Sequence, residues 1–263
     1  AVIKDVTIIS NYGDKGAIFV AGVYSENEDG TQTITDGGRL TIESGLIGLT
    51  EDGMFANMNY NGTENGYGLY IQNSNEDCVR VSNNATILDT VYLMKGVILT
   101  IADAYNSLIH STIKLDLEET NFTNPFDVAK YVDGVTANQD KFTSDREIIF
   151  STRGQYIRIA QAIIKNDTLN KAYGSVEDAI NGVANDGEEN VLRLLVELPV
   201  AGTAKIRGNK NIVFRADASL NAYIYKDNGF DGAIFEVSNG AQFRLNRNTG
   251  STQLRLVGNS TGN

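Results

Sequence analysis

The fold of this chain depends on a repeated pattern, seen most clearly in Gly232-Ala233-Ile234-Phe235-Glu236-Val237 and Gly240-Ala241-Gln242-Phe243-Arg244-Leu245. A similar pair of segments stands at the other end, as Gly16-Ala17-Ile18-Phe19-Val20 and Gly38-Arg39-Leu40-Thr41-Ile42. In each pair a Gly-flanked apolar strand is followed, after a turn or loop, by a Gly-led strand in which apolar and polar residues alternate. Repetition of this kind indicates an architecture, and by itself it gives no reaction.

Short apolar strands recur along the whole chain, and Asn, Asp or Gly stands at nearly every strand end. This pattern is typical of a sandwich, a propeller or a solenoid. The low aromatic content and the brief alternation, which lasts three to five residues, favour the solenoid. Thr41 and Glu43 should then face solvent. The predicted inward residues are Val6, Ile8, Leu40, Ile42, Leu69, Ile71, Leu99, Ile101, Phe243, Leu245, Leu254 and Leu256.

Two segments interrupt the strand pattern. Residues 127–132 are predicted to form a short helical piece. Ser175 can cap a second helix, because Glu177 and Asp178 follow in what would be its first turn. The sequence therefore predicts a helix near 175–183, and it divides into residues 1–162 and 163–263.

The second portion resembles the N-terminal entry of pectin-lyase-like right-handed parallel β-helices, as found in repeat regions of large bacterial surface and adhesin-like proteins. The resemblance rests on Gly-Ser-Val-Glu-Asp-Ala-Ile (174–180), Val-Leu-Arg-Leu-Leu-Val-Glu-Leu (191–198) and Lys-Asn-Ile-Val-Phe-Arg-Ala (210–216). Residues 84–160 look like the C-terminal exit of such a domain. The resemblance implies an all-β fold, a right-handed parallel β-helix in two partial stacks with a capping helix near 175–183.

The two portions occur in an unusual order, because the exit-like segment 1–162 precedes the entry-like segment 163–263. Residues Leu254–Asn263 would run on naturally into Ala1–Ile8. Unpaired strand edges readily pair with another chain. The predicted partner is therefore a second copy of this chain, joined head to tail through Ala1–Ile8 and Leu254–Asn263. The alternative is closure within one molecule, with the last strands on the first.

Composition excludes some partners. The chain has 263 residues and a net charge of −11, with the acidic excess lying within residues 1–160. Such a surface argues against binding to nucleic acid or anionic membranes. No apolar run is long enough to span a membrane. A single cysteine forbids an intrachain disulfide, and tryptophan is absent.

Candidate catalytic residues are few. The resemblance implies Asp clusters with an Arg or Lys base in lyases, and several Asp residues in hydrolases. Arg39 and Arg80 lie on predicted strands, yet neither has an accompanying Asp cluster, and the chain has no Asp-Asp pair. His110 is the only histidine, which makes a zinc site improbable. Cys78 lies among apolar residues and is predicted to be an unreactive, packed thiol. We therefore predict no catalytic, cofactor-binding or metal-binding residues.

Acidic loops raise the question of calcium. Glu26, Glu28 and Asp29 offer alternating oxygen ligands, to which Glu51-Asp52 and Glu76-Asp77 could add. The spacing matches neither an EF-hand loop nor a Gly-Gly-x-Gly-x-Asp repeat, so solvated turns are the prediction. Glycosylation sequons, which matter only in a glycosylating compartment, begin at Asn61, Asn84, Asn121, Asn166 and Asn259.

The predicted function is structural: a non-enzymatic extracellular repeat that forms a stalk, sheath or head-to-tail fibre at a cell surface, with adhesion as a further role. The alternative is a glycan-binding module, or a degenerate polysaccharide lyase-like or hydrolase-like β-helix. A lateral face lined by carboxylates, Arg and Tyr would favour glycan binding. A featureless face with ordered, paired ends would favour the fibre.

Overall fold

The computed structural model shows an all-β chain with parallel sheets, one short α-helix and two compact units. The first unit comprises Ala1–Arg146 and Phe150–Ala160, and the second comprises Glu147–Ile149 and Gln161–Asn263. No helix in the described parts of the chain is long and apolar enough to cross a membrane. The structure describes residues 1–9, 11, 15–28, 32–48, 66–102, 112–217, 223–227, 229–246 and 254–257, without the side chains of 32–35 and 83.

The first unit consists of short strands and one 3-10 turn, Gln139–Lys141. The strands are β1 (Val2–Ile3), β2 (Val6–Ile8), β3 (Ile18–Val20), β4 (Gly22–Glu26), β5 (Gln32–Gly37), β6 (Leu40–Ile47), β7 (Leu69–Ile71), β8 (Val79–Ile87), β9 (Val91–Leu93), β10 (Leu99–Ile101), β11 (Ile113–Leu117), β12 (Phe126–Tyr131), β13 (Phe142–Thr143), β14 (Ile148–Arg153) and β15 (Tyr156–Gln161).

The larger sheet of this unit is mainly parallel. Its strand order is β1, β6, β8, β10, β12, β15 and β14, and β2 pairs with the second half of β6. Side chains at equivalent register positions form rows across the strands, and the row that points inward is almost wholly apolar. Burying such a row stabilises the sheet. One inward row contains Ile3, Ile42, Val81, Ile101 and Tyr131.

A second parallel sheet has the strand order β13, β11, β9, β7 and β3. One of its inward rows contains Ile18, Leu69, Val91 and Leu115. From β6 to β11 the chain enters the two sheets in turn, so that successive strands lie in different sheets. Between β3 and β6 it forms an antiparallel hairpin of β4 and β5.

The predicted helix at residues 127–132 is wrong, because β12 covers this segment. Ala129 and Lys130 are register partners of residues in β10 on one side and β15 on the other. Val128 and Ala129 are buried. Pairing on both sides satisfies the backbone groups of the segment, and this tertiary context outweighs local helical preference.

The α-helix found among the described residues, α1 (Val176–Asn181), belongs to the second unit and lies inside the predicted range. Ser175 caps it, since its hydroxyl accepts a hydrogen bond of 3.0 Å from the Asp178 amide. The remaining elements are β16 (Ile164–Asn166), β17 (Lys171–Tyr173), β18 (Glu189–Leu194), β19 (Leu198–Val200), β20 (Ala204–Ile206), β21 (Asn211–Ala216), β22 (Tyr223–Lys226), β23 (Phe235–Val237), β24 (Gln242–Leu245) and β25 (Arg255–Val257).

From β18 onward the second unit follows a cyclic order. Strands β18, β21 and β24 are parallel neighbours in one sheet, β19, β22 and β25 in another, and β20 and β23 in a third. The chain thus enters the three sheets in the same sequence each time. The core between them is apolar and includes Leu192, Leu198, Ile206, Phe214 and Ile224.

Most of the predicted inward residues are confirmed. Leu40, Ile42, Leu69, Ile71, Leu99 and Ile101 are buried, while Thr41 is half-buried and Glu43 is exposed. Ile8, Phe243 and Leu254 are half-buried. The burial expected of inward residues is wrong for Val6, Leu245 and Leu256, which are 45%, 41% and 43% exposed.

Candidate functional site

A row of aromatic side chains lies on the outward face of the second sheet of the first unit. Phe19, Tyr70, Tyr92 and Asp116 are successive register partners on β3, β7, β9 and β11. They alternate with the buried inward residues of the same strands, which places them outside. The Tyr70 and Tyr92 rings are stacked, with centroids 4.5 Å apart and an angle of 22° between planes.

Tyr67 joins this row from the segment before β7. Its ring lies 4.8 Å from that of Tyr92. The amide of Ala17 donates to the Tyr67 carbonyl over 2.9 Å. Gly16 makes this approach possible: its φ is +84°, and a Cβ there would lie 2.1 Å from the same carbonyl oxygen. A glycine of the repeated sequence pattern therefore positions Tyr67.

A carboxylate and a guanidinium complete the cluster. The Tyr67 hydroxyl donates to Asp116 Oδ2 over 2.9 Å, and Arg146 donates to Asp116 Oδ1 from Nε and Nη2 at 3.0 and 2.8 Å. Burial raises the pKa of Tyr67 above its ordinary range, and the hydrogen bond to Asp116 raises it further. The Lys15 ammonium lies 4.7 Å from the centroid of the Tyr70 ring, a cation–π distance.

We call Lys15, Tyr67, Tyr70, Tyr92, Asp116 and Arg146 the tyrosine cluster. Its rings are half-buried and pack on one another. Burial, followed by the charge of neighbouring Tyr70, raises the pKa of Tyr92. The sequence reasoning missed this cluster. The sequence feature that could have revealed it is a tyrosine at the centre of each of two short strands, Leu69–Ile71 and Val91–Leu93.

A charge cluster occupies the outward face of the second unit. Arg193 pairs with Glu147 at 2.7 Å, with Asp167 at 3.1 Å and with Asp217, and Arg215 also pairs with Asp167. Burial alone would lower the pKa of Arg193, but its hydrogen bonds to Glu147 and Asp167 raise it above the ordinary value. Each carboxylate is thus engaged with an arginine, an arrangement suited to holding neighbouring strands together.

The edge strands of the second unit leave apolar inward residues uncovered. Val237, Leu245 and Leu256 lie in register with buried residues of β20, β21 and β22, yet each is more than 40% exposed. No further strand in the described residues lies beyond β23, β24 and β25. We call the inward residues of β23–β25 the open edge of the second unit.

The first unit has a corresponding edge at β1 and β2. Val6 is the register partner of Gly45, and Gly45 is the register partner of the buried Ala85. Val6 therefore belongs to an inward row. It is exposed because β2 ends the row. Ile3 and Ile8 are half-buried for the same reason. We call the inward residues of β1 and β2 the open edge of the first unit, because Val20, the inward residue at the end of β3, is buried.

The acidic residues considered for calcium are not brought together where the structure describes them. Glu26 and Glu28 are exposed, whereas Asp29 and Glu51-Asp52 lie outside the described residues. Glu76 pairs with Lys130 at 2.7 Å, and Asp77 accepts from the Thr100 hydroxyl at 2.8 Å. Among the described residues, no three His, Cys, Asp or Glu side chains could hold a metal ion.

The other candidate residues from the sequence, where the structure describes them, are engaged in hydrogen bonds or ion pairs within the fold. Cys78 is buried, its thiol donates to the Asn73 carbonyl, and burial raises its pKa. Arg39 Nη1 donates to the Glu76 carbonyl and Arg80 pairs with Asp77 at 3.8 Å. His110 lies outside the described residues.

The sequons differ in accessibility. Asn84 and Asn121 are exposed, whereas Asn166 is buried and donates to Asn190 over 2.9 Å. Glycosylation at Asn166 would require this buried hydrogen bond to break. Asn61 and Asn259 lie outside the described residues.

Comparison with protein-family models, with curated proteins and with solved structures found no match. The open edges and the tyrosine cluster are therefore the features that bear on function.

Proposed function

We propose that this chain is a right-handed parallel β-helix of the pectin-lyase-like kind, serving as a structural repeat in an extracellular, cell-surface fibre, stalk or sheath. The proposal is supported by the parallel pairing in both units and by the order in which the chain enters their sheets. A helical coil of strands produces such an order, because each turn returns every strand to its own sheet. The proposal assigns no catalytic activity and no cofactor.

The observation that carries the proposal is the pair of open edges. Val237, Leu245 and Leu256 continue buried rows but remain exposed, and Val6 does so in the first unit. Burial of apolar area is favourable at about 25 cal/mol per Å². Edge strands also offer unpaired backbone groups to another strand.

The proposed occupant of one edge is the other edge of a second copy. In the second unit β23, β24 and β25 each end a parallel-paired sheet, and in the first unit β1 and β2, which both pair with β6, end one sheet and β3 ends another. A parallel sheet has two different edges, and only opposite edges of two copies can join with all strands still parallel. Repeated pairing of opposite edges is a heterologous contact, and it extends into a filament when the rotation does not close a ring.

Adjacent residues on one edge strand test this assembly. Leu256 lies in an inward row and Val257 in the outward row beside it, and both are exposed aliphatic residues. Leu256→Glu should abolish concentration-dependent association, because it places a charge in the buried contact. Val257→Glu should leave association unchanged or weakened slightly. Sedimentation velocity over a range of protein concentrations, with electron microscopy of the largest species, measures both.

The same comparison of an inward with an outward substitution can be made in the first unit. There Val6 is inward, and Val2, which is 64% exposed, is outward. Val6→Glu should prevent assembly and Val2→Glu should not. A parent chain that stays monomeric at every concentration would contradict the proposal. Equal effects of the inward and outward substitutions would contradict the assigned contact.

Glycan binding is a second candidate, and the tyrosine cluster is the observation that favours it. Asp116 accepts from the Tyr67 hydroxyl and from Arg146, and Lys15 lies over the Tyr70 ring, so hydroxyls, a carboxylate and cations lie on one face. Hydroxyl-rich ligands are recognised by such groups. Isothermal titration with neutral and acidic oligosaccharides tests this candidate. Tyr92→Ala should remove any binding, while Tyr156→Ala, a control elsewhere in the first unit, should retain it.

A further inference from the structure

The tyrosine cluster brings three phenol rings within reaction distance. Tyr70 and Tyr92 are direct register partners on the neighbouring parallel strands β7 and β9, with ring centroids 4.5 Å apart. Tyr67 lies 4.8 Å from Tyr92 and 5.9 Å from Tyr70. Within the described residues, no other pair of tyrosine rings is in contact. The backbone register holds these rings together before any reaction, which favours coupling between them.

Tyr67 has a proton acceptor in place. Loss of one electron makes a phenol a strong acid, so its oxidation is easiest where a base already accepts its hydrogen bond. Asp116 Oδ2 accepts from the Tyr67 hydroxyl at 2.9 Å, and Arg146 fixes the other oxygen of the same carboxylate. Tyr67 is therefore the ring of the cluster best arranged to lose an electron and a proton together.

We propose that a one-electron oxidant, such as the ferryl haem of a peroxidase or a photogenerated metal complex, converts Tyr70 and Tyr92 into a covalent dityrosine. This modification site does not depend on the proposed assembly or on glycan binding. Tyr67 acts through Tyr92 and is not part of the new bond. It is oxidised first and passes its proton to Asp116. It then takes an electron from Tyr92 and recovers its proton.

The reaction balances as a two-electron oxidation. Two equivalents of the oxidant each take one electron, from Tyr70 directly and from Tyr92 by way of Tyr67, and Tyr70 and Tyr92 each lose the phenolic proton to water. The two neutral phenoxyl radicals then form one carbon–carbon bond between positions ortho to their oxygens. The ortho hydrogens move to the oxygens as both rings regain aromaticity. The product lacks two hydrogen atoms relative to the reactants and ties β7 covalently to β9.

Peptide mapping of the oxidised monomer tests the proposal. The intact chain, at low concentration, is illuminated with tris(bipyridine)ruthenium and persulfate, and the monomer is isolated and digested with trypsin. Cleavage after Arg39, Arg80 and Lys95 separates residues 40–80 from 81–95, and Tyr92 is the one tyrosine of the latter. The expected product joins these peptides with a mass two hydrogens below their sum, and it shows dityrosine fluorescence.

Three phenylalanine variants assign the bond and the relay. Tyr70→Phe should lose the linked peptide. Tyr67→Phe should still form it, but more slowly. Tyr156→Phe is the matched control, since Tyr156 is half-buried in the same unit with Lys130 5.8 Å from its ring, and it should behave as the parent. Circular dichroism checks that each variant is folded.

Several results would overturn the inference. A linked peptide that persists in Tyr70→Phe at the parent yield would show that the bond involves another tyrosine. A parent chain that gives cross-linked dimers but no linked monomer would show that the stacked pair does not couple. An unchanged rate in Tyr67→Phe would refute the role of Tyr67.

Discussion

Residues of one row differ in exposure according to their position in it. In the second unit, Leu192, Phe214 and Leu245 are successive register partners, and the first two are fully buried while Leu245 is 41% exposed. In the first unit, Ala85 is buried and Val6, in the same row, is 45% exposed. In these two rows an apolar side chain is covered by the strands on both sides of its own, so the last strand keeps one side open; Val20 at the end of β3 is the exception, since it is buried.

The largest expected effect comes from truncating the covered member of a row. Phe214 contacts Phe235 and Phe243, with ring centroids 5.4 and 5.7 Å away. Phe214→Ala should lower the free energy of unfolding of the second unit by about 3–5 kcal/mol, through lost burial and a cavity. Leu245→Ala should cost about 1 kcal/mol, since much of that side chain is already in water.

Urea unfolding followed by circular dichroism measures both variants, at a concentration where the parent chain is monomeric. Measuring below the association threshold matters, because assembly would cover Leu245 and raise its contribution. Equal losses for Phe214→Ala and Leu245→Ala in the monomer would show that the edge row is covered in solution.

A second prediction applies the same comparison to charged residues. The Arg193 side chain is 18% exposed and pairs with three carboxylates, whereas Arg244 is 59% exposed and pairs with Glu189. Arg193→Ala should destabilise the second unit by about 3 kcal/mol, because Glu147, Asp167 and Asp217 would lose their common partner. Arg244→Ala should have a much smaller effect, as is usual for exposed pairs.

Chemical unfolding at low and high salt separates these cases. The loss in Arg193→Ala should persist at high salt, since partly buried pairs are weakly screened. A loss in Arg244→Ala as large as that in Arg193→Ala would show that exposure does not govern the strength of these pairs.

The sequence predicted what depends on neighbours along the chain. Alternation placed Leu40 and Ile42 inside and Glu43 outside, because successive side chains of a strand point to opposite faces. Capping chemistry likewise located α1 behind Ser175. Alternation could not show that Val6 and Leu256 end their rows, since this depends on which strands become neighbours in space.

The tyrosine cluster was hidden for a related reason. Tyr67, Asp116 and Arg146 are far apart in sequence, and they meet because the register aligns β7, β9 and β11. The helix predicted at residues 127–132 failed because β10 and β15 pair with the same segment as a strand. Local patterns thus predicted the strand faces, and the pairing of distant strands determined the edges and the site.

The smallest expected effect on stability concerns the outward face. There Phe19, at the end of the aromatic row, is 43% exposed, whereas Tyr67 lies within the cluster. Burial and Asp116 raise the pKa of Tyr67 above the value of about 10 that it has when unfolded. A raised folded-state pKa adds stability that is present below pH about 10 and is lost as pH rises toward the folded value.

Tyr67→Phe, which removes the hydrogen bond, should cost about 1 kcal/mol at neutral pH. This difference from the parent should shrink in alkaline solution, as measured by urea unfolding at several pH values. Phenolate absorbance supplies the check: if the signal lost in Tyr67→Phe titrates near pH 10, the covered position of Tyr67 does not control its ionisation.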